Sequence, residues 1–156
     1  MKKMLLVVST LLCCSPAFAN SFKMTFNQVM ALRGALAALD GAPQIIKDGS
    51  RETSVIVPYK LGAGMRLLIA RDIASADKLI STVRTAAKPV AEELQRLQGA
   101  NASQGEIGKA TAAINALGEE EQTIDLEPIN TKELALDQNQ VPASNLAALA
   151  PILVDN

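Results

Sequence analysis

Few residues in this chain have the type and spacing that chemistry needs. Gly62-Ala63-Gly64, flanked by Lys60 and Arg66, opens a helical pattern, and the unpaired backbone N–H groups of a helix start attract anions. Lys60, Gly62, Gly64 and Arg66 therefore form a candidate anion cradle, but an incomplete one. Leu67 stands where the third glycine of a dinucleotide fingerprint belongs, and no Walker-type lysine follows. Arg66, Arg71, Lys78, Arg84 and Lys88 follow one another along the same helical run. Asp72 and Asp77 interrupt them and no aromatic side chains accompany them, so they predict a solvated face, or a dock for the chain's own acidic half, rather than a nucleic-acid track. Glu92 and Glu93 are sequence neighbours, which on a helix do not face each other. Glu119-Glu120-Glu121 reads as a solvated turn whose carboxylates point apart instead of converging on a cation. The chain has no His, and its two cysteines are Cys13 and Cys14. Ser-His-Asp, Cys-His and zinc arrangements are thus excluded, and no catalytic residue, metal or cofactor is expected.

What would position these residues is one long element. From Gly62 to Leu97, Met65, Ile69, Ile73, Ala76, Ile80, Val83, Ala87, Val90, Leu94 and Leu97 recur at alternating fours and threes, the spacing of a helix with a narrow packing seam. At about 1.5 Å per residue such a helix is roughly 55 Å long. Pro89 removes one of its hydrogen bonds, giving either a kink or two helices meeting near Lys88; the unbroken phase of the seam favours a kink. Wherever its neighbours leave it bare, the seam is a candidate interaction surface: Met65, Ile69, Ile73, Ile80, Val83, Val90, Leu94 and Leu97.

The remaining elements are shorter. Lys2 and Lys3, the apolar run Met4 to Leu12, and Ala17-Phe18-Ala19 have the order of a bacterial secretory signal peptide cleaved after Ala19. That leaves one α-rich domain over 20–156 with no cysteine and no membrane span. Met24 offers an alternative start and a cytoplasmic product. Thr25 and Gln28 have the spacing of a capping box for a helix over 25–39, with Val29, Leu32, Leu36 and Leu39 on one face and Gly41 closing it. Residues 44–47 and 53–57 predict a hairpin with a turn longer than two residues, ending at Pro58. Ser103 and Glu106 cap a second helix, with Ile107, Ala110, Ile114 and Leu117 inward and Gly118 as its stop, folding back along the long one. Asn101, in the connecting loop, reads as part of a turn and not as a glycan acceptor. Thr123 to Glu127 alternates as a strand that could join the hairpin, Leu134 and Leu136 continue an extended path, and Ser144 caps a last short helix.

Composition agrees with helix-on-helix packing. The chain has 156 residues, 49% hydrophobic, only 3% aromatic and no Trp, so the core must be aliphatic. The fold class expected is α+β, mainly α: a long kinked central helix packed by shorter helices, with a small β-hairpin or three-stranded sheet. The formal charge of −1 gives no general attraction to nucleic acid. Residues 20–99 nevertheless hold eleven cations against seven anions, and residues 100–156 two against nine, so the two halves should attract each other.

Met24-Thr25-Phe26-Asn27-Gln28, Leu36-Ala37-Ala38-Leu39-Asp40-Gly41, Pro58-Tyr59-Lys60-Leu61-Gly62 and the tail from Ile124-Asp125-Leu126 to Leu146-Ala147-Ala148-Leu149-Ala150-Pro151-Ile152-Leu153 together resemble a loose family of small, uncharacterised proteins of tailed bacteriophages and prophages. The resemblance rests on packing and turn signals and transfers no activity; its members start near the position of Met24, so the leader is a departure. The expectation is an exported, periplasmic or secreted, non-enzymatic interaction protein that binds or inhibits a cell-envelope component, with a homodimer also open. The alternative is a cytoplasmic phage accessory or assembly protein translated from Met24.

Overall fold

A computed structural model describes residues 20–49, 51–100 and 102–155. The leader read in residues 1–19 and the loop residue Asn101 lie outside them. The chain runs β1 (Asn20–Thr25), α1 (Phe26–Ala38), β2 (Gly41–Asp48), β3 (Arg51–Pro58), α2 (Ala63–Gly99), α3 (Gln104–Glu119), β4 (Glu121–Leu126), β5 (Ile129–Asn130), a 3-10 turn (Thr131–Leu134), α4 (Ala143–Leu149), a second 3-10 turn (Ala150–Ile152) and β6 (Leu153–Val154). It is a mainly helical α+β fold around one long central helix.

Both capping boxes form. The Thr25 hydroxyl accepts the Gln28 N–H at 3.2 Å while the Gln28 side chain accepts the Thr25 N–H at 2.8 Å. Ser103 and Glu106 do the same for α3, so each helix start satisfies two donors that would otherwise lack partners. Helix α1 and the Leu39 that follows it deliver Val29, Leu32, Leu36 and Leu39 to the core, all essentially inaccessible to solvent. Gly41 does not cap it. The cap is Leu39, and Gly41 opens β2, where an added Cβ would strike the Val57 carbonyl; the residue is there for close strand approach.

Helix α2 is a single helix of 37 residues with the exposed Pro89 inside it, so the chain does not divide at Lys88. Its first half lies in the core: Met65, Ile69, Ala76 and Ile80 are buried with Leu126, Ile129, Leu134, Leu149 and Ile152. Helix α3 folds back along its second half, as the groove lined by Val90, Leu97, Glu106 and Ala110 records. Gly118 is not a stop. It lies within α3, which runs to Glu119, and sits so close to the Asn27 side chain that a Cβ would come within 2.9 Å of it.

The sheets differ from expectation in pairing. β4 does not extend the hairpin; it pairs antiparallel with β1, Asn20 opposite Leu126 through Thr25 opposite Glu121. Ile124 and Leu126 do turn inward and Asp125 outward, as the alternation predicts. The hairpin β2–β3 is a separate two-stranded sheet. Its register, Asp48 opposite Arg51, leaves only two residues between the strands, one of them Gly49 at φ 60°, so the turn is tighter than the spacing of apolar runs suggests. Leu134 ends a 3-10 turn instead of continuing a strand, and the C-terminal helix starts after Pro142 with no side-chain cap from Ser144.

Candidate functional site

At the start of α2 the Gly62 carbonyl, the Arg66 guanidinium and the Lys60 backbone N–H of the candidate cradle are each engaged with the protein itself, and Gly64 lies in the first turn of the helix. Gly62 is the N-cap residue and accepts the Arg66 N–H at 3.1 Å. The Arg66 guanidinium donates to the Tyr59 carbonyl at 2.8 Å and lies 3.7 Å from the Asp40 carboxylate. The Lys60 N–H is taken by the side chain of Asn139 at 2.8 Å. Asn139, buried, also donates to the Leu134 carbonyl at 2.7 Å, and the Tyr59 hydroxyl donates to the Gln140 carbonyl at 3.0 Å. The segment 59–66 is thus a polar clamp holding the entry of α2 against the loop after Leu134. A neighbouring cleft of about 300 Å³ is lined by Leu36, Leu39, Leu61, Ile69 and Ile73, with Asp40 and Arg66 at its edge.

The helix seam divides into two parts. Met65, Ile69 and Ile80 are buried in the core, so these three present no surface to a partner, while Leu97 is buried at the floor of a groove beside α3. Ile73, Val83, Val90 and Leu94 are half-buried. Past Ile80, α2 lies beyond the core cluster, and two grooves remain between it and α3: one lined by Val83, Ala87, Ile114 and Leu117, the other by Pro89, Val90, Leu97 and Ala110. Charged side chains edge the second, where Glu93 and Arg96 pair at 2.6 Å. That pairing and the adjacent Ser103 hydroxyl hold the Glu93 and Glu106 carboxyls below the usual range.

The cations along α2 are largely answered by local carboxylates. Arg71 meets Glu127 at 3.0 Å, Lys88 meets Glu92 at 3.6 Å and Arg96 meets Glu93 at 2.6 Å, while Asp77 of α2 binds Arg33 of α1 at 2.9 Å. The Arg71–Glu127 pair joins the basic half of the chain to the acidic one.

Sequence reasoning missed Asp72. It is 2% exposed; one carboxylate oxygen accepts the Glu127 N–H at 3.0 Å, and the other is buried with no hydrogen-bond partner. Burial is the main cause that lifts its pKa to about 6, with the nearby Glu127 charge adding and the Glu127 N–H opposing. The signal was present in the spacing. Counting Ile69, Asp72, Ala76 gives steps of three and four, so Asp72 occupies a seam position and had to be buried.

Among the described residues no helix is long and apolar enough to cross a membrane, and no group of three or more His, Cys, Asp and Glu could hold a metal ion. No protein-family model, curated protein or solved structure significantly matches the chain.

Proposed function

We propose that this chain is an exported, non-enzymatic interaction protein of phage or prophage type, which binds or inhibits a component of the bacterial cell envelope. The observation that carries the reading concerns β1. Cleavage after Ala19 keeps Asn20 to Lys23, whereas translation from Met24 removes them, and these residues are four of the six in the strand that pairs with β4. Phe22 packs against the core, so the fold uses residues that only the longer product retains. The cytoplasmic alternative would have to leave Thr123, Ile124, Asp125 and Leu126 without their strand partners.

The surface assigned to the partner is the half-covered part of α2 at Val83, Val90 and Leu94, where a helix or loop of another protein can fill the grooves beside α3. Binding at this face is tested with Val90→Asp and Leu94→Asp, using envelope extract of the host as the source of partner. The wild-type chain should retain a defined envelope protein that both variants release while keeping their helical circular dichroism. Equal retention by wild type and variants, or none by either, contradicts the assignment.

A further inference from the structure

We infer that the cleft between the end of α1 and the start of α2 binds a free α-amino acid with an aliphatic side chain, its ammonium on Asp40 and its carboxylate on Arg66. The cleft holds about 300 Å³, the lower end of the range for small-molecule pockets. It therefore suits one small metabolite and not a lipid with two acyl chains. Buried Leu36, Leu39 and Ile69 line it together with half-buried Leu61 and Ile73. None of these side chains offers a polar atom, so the body of the ligand must be apolar too.

The two charges at the mouth stand against their own helices. Asp40 follows Leu39, the C-cap of α1, at the negative end of the helix dipole, where a carboxylate is unfavourable. Arg66 closes the first turn of α2, at the positive end, where a cation is unfavourable. No basic residue in the last turn of α1 and no acidic residue in the first turn of α2 offsets them. They answer each other only loosely, at 3.7 Å, with the Arg66 side chain 43% exposed and that of Asp40 83%. An ammonium beside Asp40 and a carboxylate beside Arg66 would bring to each helix end the sign of charge it lacks. A fatty acid or an alkyl amine could do so at one end only. An α-amino acid carries both groups on one carbon and can address two partners this close together.

Both partners are held in place before any ligand arrives. The Asp40 N–H donates to the Ala37 carbonyl at 3.2 Å, and its own carbonyl accepts the Tyr59 N–H at 3.4 Å. The Arg66 guanidinium is tied to the Tyr59 carbonyl at 2.8 Å; it has five N–H donors, so donors remain for a carboxylate. Groups fixed in advance lose little freedom on binding.

Titration of the full chain with L-leucine into the millimolar range, followed by two-dimensional NMR, tests the proposal. Saturable shifts are expected at the amides around the cleft, in residues 36–40 and 61–73. Three analogues each lack one recognised part: 4-methylpentanoate the ammonium, isopentylamine the carboxylate, and glycine the side chain. Each should bind roughly tenfold more weakly or worse. Asp40→Asn and Arg66→Gln should each weaken leucine binding by a similar factor. Asp40→Asn leaves both backbone bonds of that residue in place, and helical circular dichroism checks that the variants fold. No saturable binding of leucine to the wild type, any of the three analogues binding as tightly as leucine, or Asp40→Asn binding leucine as tightly as the wild type overturns the proposal.

Discussion

Asp72 reaches from the middle of α2 to the end of β4, where its carboxylate accepts the Glu127 N–H at 3.0 Å while its second oxygen is buried without a partner. The bond anchors the helix to the strand, and the partnerless oxygen makes the charged form of the group costly.

The sign of the resulting pH dependence follows. The ordinary Asp value of 3.8 rises to about 6 in the fold, so the native state binds the proton more readily than the unfolded one between these values. Stability should therefore fall as pH rises from about 4 to about 6, and level off above. The full shift corresponds to at most about 3 kcal/mol. Urea unfolding at pH 5 and pH 7.5 should show the protein more stable at the lower pH. Asp72→Asn, which keeps an acceptor for Glu127, should flatten the difference. A wild-type chain more stable at pH 7.5 contradicts this account of Asp72.

Removal of Asn20 to Lys23 should be expensive in stability for the reason given by β1. It deletes four of the six positions paired with β4 and the Phe22 side chain packed on the core. A chain beginning at Met24 should lose about 2 kcal/mol or more relative to one beginning at Asn20, read as a lower urea midpoint. Equal midpoints would show that the strand contributes nothing to the fold.

The N-terminal cap of α1 gives a smaller, local expectation. Thr25→Ala leaves the Gln28 N–H without its acceptor and should cost about 1 kcal/mol, while Thr25→Ser, which keeps the hydroxyl, should leave the cap intact and be close to neutral. Thermal unfolding of the two variants checks the order.

The parts legible in the sequence are those fixed by local chemistry. The capping residues at Thr25 and Ser103, the inward faces of α1 and β4 and the bounds of α2 follow from periodicity and from donors that need acceptors. Strand partnership was not legible, because alternation at Thr123 to Glu127 says which face is buried but not which strand lies alongside; β1 is short, and its residues could equally belong to the segment after a leader. The roles of Gly41 and Gly118 were also hidden. Both follow apolar helical runs and so read as stops, yet the structure uses each for a close approach, to Val57 and to Asn27. Periodicity marks the seam of α2 but not which of its residues the neighbouring elements cover, and Asp72 was hidden because a charged residue among Arg66, Arg71 and Lys78 passes for a solvated one.

Export of a chain that begins at Asn20 is the central claim, and the mass of the intact protein recovered from its bacterial host tests it most directly. A product in the periplasmic or secreted fraction whose mass corresponds to residues 20–156 is expected. A cytoplasmic product whose mass corresponds to a start at Met24 would contradict it.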